Sequence, residues 1–217
     1  MNPHCKKLIL TEEAGAMVEI VIVMGMLVLL ATLLWPRMAV CKAQATRIDC
    51  VNNLKQIGIA SRIWSNDHDK LLSWQVSTNE KGASEFAASG DVDRLLAPLS
   101  HELQSPKLLL CPSETRRSSA ESFTTLRNEN ISYLVGLDAS EDNPQMILFG
   151  DRNLHAPGIA NKGVVVVSRG TVLRWGKDLH VHAGNIGLVD GSVQEVNDSG
   201  LQKQMIGQAT TVRFAIP

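Results

Sequence analysis

The sequence predicts an α+β fold, with one long N-terminal helix that crosses a membrane and then packs on a C-terminal antiparallel β-sheet. Three observations carry this. A charge-free run, IVIVMGMLVLLATLLW, fills residues 20–35. Beyond Pro36, apolar residues recur every three positions at Ile48, Val51, Leu54, Ile57, Ala60 and Ile63, the pattern of a one-sided helix. The last third breaks into short β-rich runs separated by Gly, Asn, Asp and Pro.

The apolar run comes first. With Ala16, Met17 and Val18 it reaches the ~20 residues needed to cross a bilayer as a helix. Glu19 lies just inside it, where a carboxylate is costly and marks function. Snorkelling to the headgroups is the plainer reading of Glu19. The run is too long for a secretory signal core, and Leu33-Leu34-Trp35-Pro36-Arg37 offers no small-residue cleavage site. Cys5 precedes the run and so is not a lipoprotein acylation site. Pro36 removes one backbone hydrogen bond, to the carbonyl of Thr32, and predicts a kink. Ser65, Asn66, Asp67, His68 and Asp69 end the amphipathic half.

Residues 70–130 are mixed, with a helical turn at Leu95-Leu96-Ala97-Pro98-Leu99 that Pro98 interrupts. Strands are expected at 132–137, 145–149, 164–168, 185–189, 192–196 and 211–216. In GNIGLV-DG-SVQEV, Asp190-Gly191 reads as a two-residue hairpin turn with positive φ.

Composition narrows the function classes. The 21 Lys+Arg nearly balance the 22 Asp+Glu, a net charge of −1, which speaks against a nucleic-acid binder that neutralises phosphates. His180, His182, Asp190 and Asp151 invite a metal or acid–base reading. The plainer reading makes Asp190 a turn residue and has His180 hydrogen-bond across the hairpin. Asp138, Glu141 and Asp142 share one loop, with Asp151 shortly after, but no twelve-residue ligand ladder appears. Cys111 and His180 could be written as nucleophile and base, yet no local motif supports them, and Ser113 and Ser192 lack a G-x-S-x-G context. The chain does not read as an enzyme. Cys41 and Cys50 lie ~13.5 Å apart along one helix and cannot bridge. Cys111 could bridge Cys50 if residues 105–112 pack on the helix; two buried thiols are the alternative.

The order of these features resembles the type IV pilins and type II secretion pseudopilins. Glu19 and Pro36 are seventeen residues apart, as are the family's glutamate and proline. The resemblance implies a leader over 1–14, cut between Ala14 and Gly15, so that Glu19 becomes the fifth residue. Ala14 stands where the family prefers glycine, and Glu12 and Glu13 sit beside the cut. Membrane-spanning and amphipathic halves of the helix would cover 15–36 and 37–66, and a globular head 67–217. Cys50-Val51-Asn52-Asn53-Leu54-Lys55-Gln56-Ile57-Gly58, Cys111-Pro112-Ser113, Ile131–Asp138 and Gly150-Asp151-Arg152-Asn153 look like the subgroup named for an H-x9-DG motif. His180 and Asp190-Gly191 would be that motif.

The resemblance implies a structural subunit, cleaved and N-methylated by prepilin peptidase. It would assemble with other pilin or pseudopilin subunits on an inner-membrane platform. Glu19 would meet the new amine of a neighbour. The chain would be a single-pass inner-membrane protein, N-terminus cytoplasmic and head periplasmic. Major pseudopilins bind calcium, so calcium is the candidate cofactor, with Asp138, Asp142 and Asp151 as candidate ligands. A second reading is a non-polymerising, membrane-anchored extracytoplasmic module that binds a surface polysaccharide or protein.

Overall fold

The computed structural model describes residues 3–156, 162–180, 182–208 and 210–217, with the side chains of 3–17 and 34–43 outside that description. The chain divides into two compact units, Met1–Ala45 and Thr46–Pro217. Helix α1 is assigned over Pro3–Asn66. In the first unit its large apolar side chains at residues 18–33 are 49–69 % exposed.

Two expectations are corrected here. Among the described residues no helix is long and apolar enough to cross a membrane. The carboxylate of Glu19 lies inside the N-terminal end of the apolar run, where a charge is costly in hydrocarbon. The membrane-spanning helix of the expected fold class therefore falls, and with it the single-pass inner-membrane placement. The fold is instead dominated by a large antiparallel sheet with helices around it.

The second unit opens with the amphipathic turns of α1. Cys50, Leu54, Ile57, Ala60 and Trp64 are buried, each at most 4 % exposed. Trp64 stacks on His68, ring centroids 3.6 Å apart, and Asp69 and Lys70 at positive φ turn the chain out of the helix. Short helices α2 (Val92–Leu96) and α3 (Ser100–Leu103) flank a 3-10 turn containing Pro98, which lacks the amide to continue an α-helix.

The strands follow: β1 (Tyr133–Gly136), β2 (Ile147–Asp151), β3 (Leu154–His155), β4 (Gly163–Ser168), β5 (Arg174–Trp175), β6 (Ala183–Leu188) and β7 (Val193–Asn197). Helix α4 (Asp198–Ile206) and β8 (Thr211–Ile216) complete the chain. Six strands form one sheet in the order β4-β8-β1-β2-β6-β7, all neighbours antiparallel, and β3 pairs with β5 separately.

Side chains alternate across each strand, so the sheet has two buried faces. Tyr133, Val135 and Ala215 join the α1 residues in one cluster. Leu134, Val165, Val167, Ile186, Val212 and Phe214 join Leu201 and Met205 of α4 and Trp175 of β5 in another. Both faces of β1 are thus covered, which is why all four of its residues are buried.

The hairpin between β6 and β7 differs from the two-residue turn expected. Gly191 N donates to Leu188 O (3.0 Å) and Leu188 N donates to Ser192 O (2.9 Å). Leu188 and Ser192 therefore close a three-residue loop, and only Gly191 takes positive φ, +88°. This is a turn followed by a glycine bulge, so Asp190 needs no left-handed conformation. Its carboxylate accepts instead from Ser192 N (2.8 Å) and Gln145 Nε2 (3.0 Å).

Candidate functional site

A rung of polar residues crosses the α1-facing side of the sheet. Tyr133 on β1 pairs with Asp151 on β2, and Asn185 on β6 pairs with Glu195 on β7. Asp151 and Asn185 sit one residue beyond the Gly150–Ile186 pair, and both Asn185 N (2.7 Å) and Asn185 Nδ2 (3.0 Å) donate to Asp151 Oδ2. Glu195 ends the rung in an exposed ion pair with Arg47 of α1.

Three further segments close on Asp151. Cys50 comes from α1. Cys111 follows a 3-10 turn, Pro106–Leu109, that is tied down at both sides: Asn53 Nδ2 of α1 donates to Leu110 O (3.2 Å) and Ser132 N donates to Leu109 O (2.9 Å). Cys50 and Cys111 form a disulfide with Cα atoms 5.3 Å apart. His180 sits just before β6, bridged to Ala183, in a loop that Asn153 Nδ2 holds through Gly176 O (3.1 Å) and Ala183 O (3.3 Å). Its Nε2 lies 3.6 Å from Cys111 Sγ and 3.5 Å from Asp151 Oδ2.

One potential ligand atom from each of Cys50, Cys111, Asp151 and His180 falls within 4.8 Å of the other three, and all four residues are buried. Burial pushes Asp151 up to about 7, against the hydrogen bonds from Asn185. Burial and then the charge of Arg47 push His180 down, which favours neutral imidazole. Burial and the charge of Asp151 push the Tyr133 phenol up. Asp151 Oδ1 and Asn185 Oδ1 are buried with no hydrogen-bond partner among the described residues. Buried orphans of this kind call for water or an ion.

Other site residues stand apart from this cluster. Asp190 and Gly191 lie at the far end of β6 from His180, so His180 does not bond across the hairpin; His182 is exposed. Asp138 accepts from Arg213 N (2.7 Å) and Nε (2.9 Å), Glu141 from Ser65 Oγ (2.8 Å), and Asp142 from Ser140 Oγ (3.4 Å). Each of these carboxylates has a different partner, and neither Asp138 nor Asp142 shares the cluster with Asp151. Glu19 is exposed. The side chains of Ala14, Gly15, Pro36, Cys5 and Cys41 lie outside the described residues.

Sequence reasoning considered all four cluster residues but did not join them. The available signal was Asp151 itself, a carboxylate ending the apolar run Ile147–Gly150. Compared with family models, curated proteins and solved structures, the chain matches none.

Proposed function

We propose that the chain is a structural subunit of the pilin or pseudopilin kind, assembled through the apolar part of its N-terminal helix. The observation that carries this reading is the exposed apolar surface of residues 18–33, which runs all round the helix. A surface of that size does not stay in water; it is covered by something equally apolar. A copy of the same segment is the covering a filament provides, through a head-to-tail contact that repeats without closing.

Glu19 fits the same reading. It is the single ionisable residue in the stretch. Cleavage between Ala14 and Gly15 by a prepilin peptidase would free an amine four residues before it. A neighbour's amine would neutralise the Glu19 carboxylate in the packed core, where an unpaired charge costs several kcal/mol.

The test compares Glu19→Ala with wild type, both purified in mild detergent and crosslinked. Wild type should give a ladder of oligomers and Glu19→Ala should lose most of it. Equal ladders from both, or a wild-type monomer at every concentration, would overturn the proposal. Mass spectrometry of the purified chain should find Gly15 at the N-terminus; an intact Met1 would remove the processing step.

A further inference from the structure

The four-residue cluster on the α1 side of the sheet does not enter the assembly reading above. We propose that it is a redox-gated zinc site: closed as a disulfide when oxidised, and a four-ligand Zn²⁺ centre of Cys50, Cys111, His180 and Asp151 when reduced.

The geometry supports this in three ways. First, the ligand set is complete. Two thiolates, one imidazole and one carboxylate are donors that zinc takes in closed tetrahedral sites. Second, the spacing is close to a tetrahedron. Bonds of ~2.3 Å to sulfur and ~2.0–2.1 Å to nitrogen or oxygen set ligand–ligand edges of roughly 3.3–3.8 Å. Cys111 Sγ to His180 Nε2 is 3.6 Å, and His180 Nε2 to Asp151 Oδ2 is 3.5 Å. Every pair lies within 4.8 Å, so no edge has to contract by more than about 1–1.5 Å. The two sulfurs must part to about 3.8 Å, a rotamer adjustment within Cβ positions already held close. Third, the orphaned Asp151 Oδ1 and Asn185 Oδ1 mark a polar interior that the disulfide alone does not satisfy.

The chemistry balances. A dithiol reductant passes two electrons and two protons to the Cys50–Cys111 bond, yielding two thiols and its own disulfide. Zn²⁺ then displaces both thiol protons and forms two Zn–S bonds. His180 gives the Nε2 lone pair of its neutral form, and Asp151 gives a carboxylate oxygen. The resulting centre carries one net negative charge. Arg47 and Arg152 act electrostatically on His180 and Asp151 and oppose that charge. Both states hold α1 to the segment after Pro106–Leu109, so the exchange swaps one cross-link for another.

The experiment uses the full-length chain in mild detergent, reduced anaerobically with a phosphine and titrated with Co²⁺, then Zn²⁺. The reduced chain should bind one cobalt, with cobalt–thiolate charge-transfer absorption and tetrahedral d–d bands that zinc abolishes. The oxidised chain should show neither. Replacing Cys5 and Cys41 by Ser should leave the signal intact. His180→Ala should weaken binding by more than the ~10–100-fold that outer partners of a metal site contribute. If reduction loosens the fold, zinc should restore the far-ultraviolet circular dichroism. A reduced chain without thiolate absorption would overturn the proposal. So would a signal that needs Cys5 or Cys41, or a loosened fold that zinc leaves unrestored.

Discussion

The two faces of the sheet are closed in different ways. The face toward α1 carries the Cys50–Cys111 cross-link, Asp151, His180 and Asn185, all buried. The face toward α4 is closed by Phe214, Val165, Ile186, Leu201, Met205 and Trp175, whose buried indole Nε1 has no hydrogen-bond partner among the described residues. The first face is also packed, around Leu54, Ile57, Val135 and Phe149, but it adds groups whose state depends on redox poise, proton and metal. The other rests on packing, which none of these touches. A chain that needed only stability could have used apolar packing on both sides, since well-packed apolar residues can replace buried ionic groups at little cost. The polar face therefore reads as the conditional half of the fold.

The largest expected effect separates the two faces directly. Reducing Cys50–Cys111 in the presence of a zinc chelator should lower the unfolding free energy by about 4 kcal/mol. The cross-link spans a sequence separation of 61, and loop-closure entropy sets the scale. Urea denaturation with and without a phosphine reductant measures it. An unchanged midpoint would mean that packing alone holds both faces. Next, Leu201→Ala on the α4 face should cost about 3 kcal/mol, since Leu201 is 1 % exposed and the void would lie between α4 and the sheet. That loss should be the same in oxidised and reduced protein, because the sheet separates the two sites. A loss that depends on redox state would show the faces to be coupled.

A smaller effect belongs to the hairpin. Gly191→Val should cost ~1–2 kcal/mol, because a branched side chain is strained at φ +88°. The added Cβ would also come within 3.3 Å of Arg62 Nη1, a flexible end that can move. An unchanged melting temperature would contradict the glycine-bulge geometry.

The strands of the main sheet were legible because their apolar runs are bounded by turn residues, and the buried stripe of α1 because its period is a helix's. Helix α4 was not. Asn197-Asp198-Ser199-Gly200 reads as a turn, yet Asn197 Oδ1 accepts from Gly200 N (2.9 Å) and so starts the helix. The four-residue spacing of Leu201 and Met205 was the remaining clue. Strands β3 and β5 have two residues each, too few for any period to show. The Asp-Gly pair suggested a two-residue turn because local propensity does not show that Leu188 and Ser192 close the loop. The site stayed hidden for a related reason. Cys50, Cys111, Asp151 and His180 are brought together by strand register and by one loop pinned to α1, and neither is written in local sequence. The apolar run suggested a membrane span by its composition, yet among the described residues no helix is long and apolar enough to cross a membrane.

The smallest expected effect tests whether acid acts on the polar half through a buried charge. Glu114 lies three residues beyond Cys111, with its side chain 0 % exposed. It accepts from Arg152 Nε (2.9 Å) and Nη2 (2.7 Å), and from the amides of Thr115 (3.1 Å) and Arg116 (3.0 Å). Burial alone would raise its pKa. The amide of Arg116 and the guanidinium of Arg152 outweigh that and hold it below the ordinary carboxylate range, with Arg117 adding to the effect. A carboxylate whose folded pKa lies below its unfolded one stabilises the fold fully above the unfolded value, ~4.3. That contribution is lost as pH falls toward and through the folded value. Wild type should therefore lose stability between about pH 5 and pH 3 more steeply than Glu114→Gln, which has no proton to take up there. Glu85 and Asp190 are also held low, by Ser77 and Ser192, but they titrate alike in both proteins and cancel in the difference. Urea midpoints across that range give the two slopes. Equal slopes would place the acid sensitivity elsewhere and leave Glu114–Arg152 as packing, no more conditional than the α4 face.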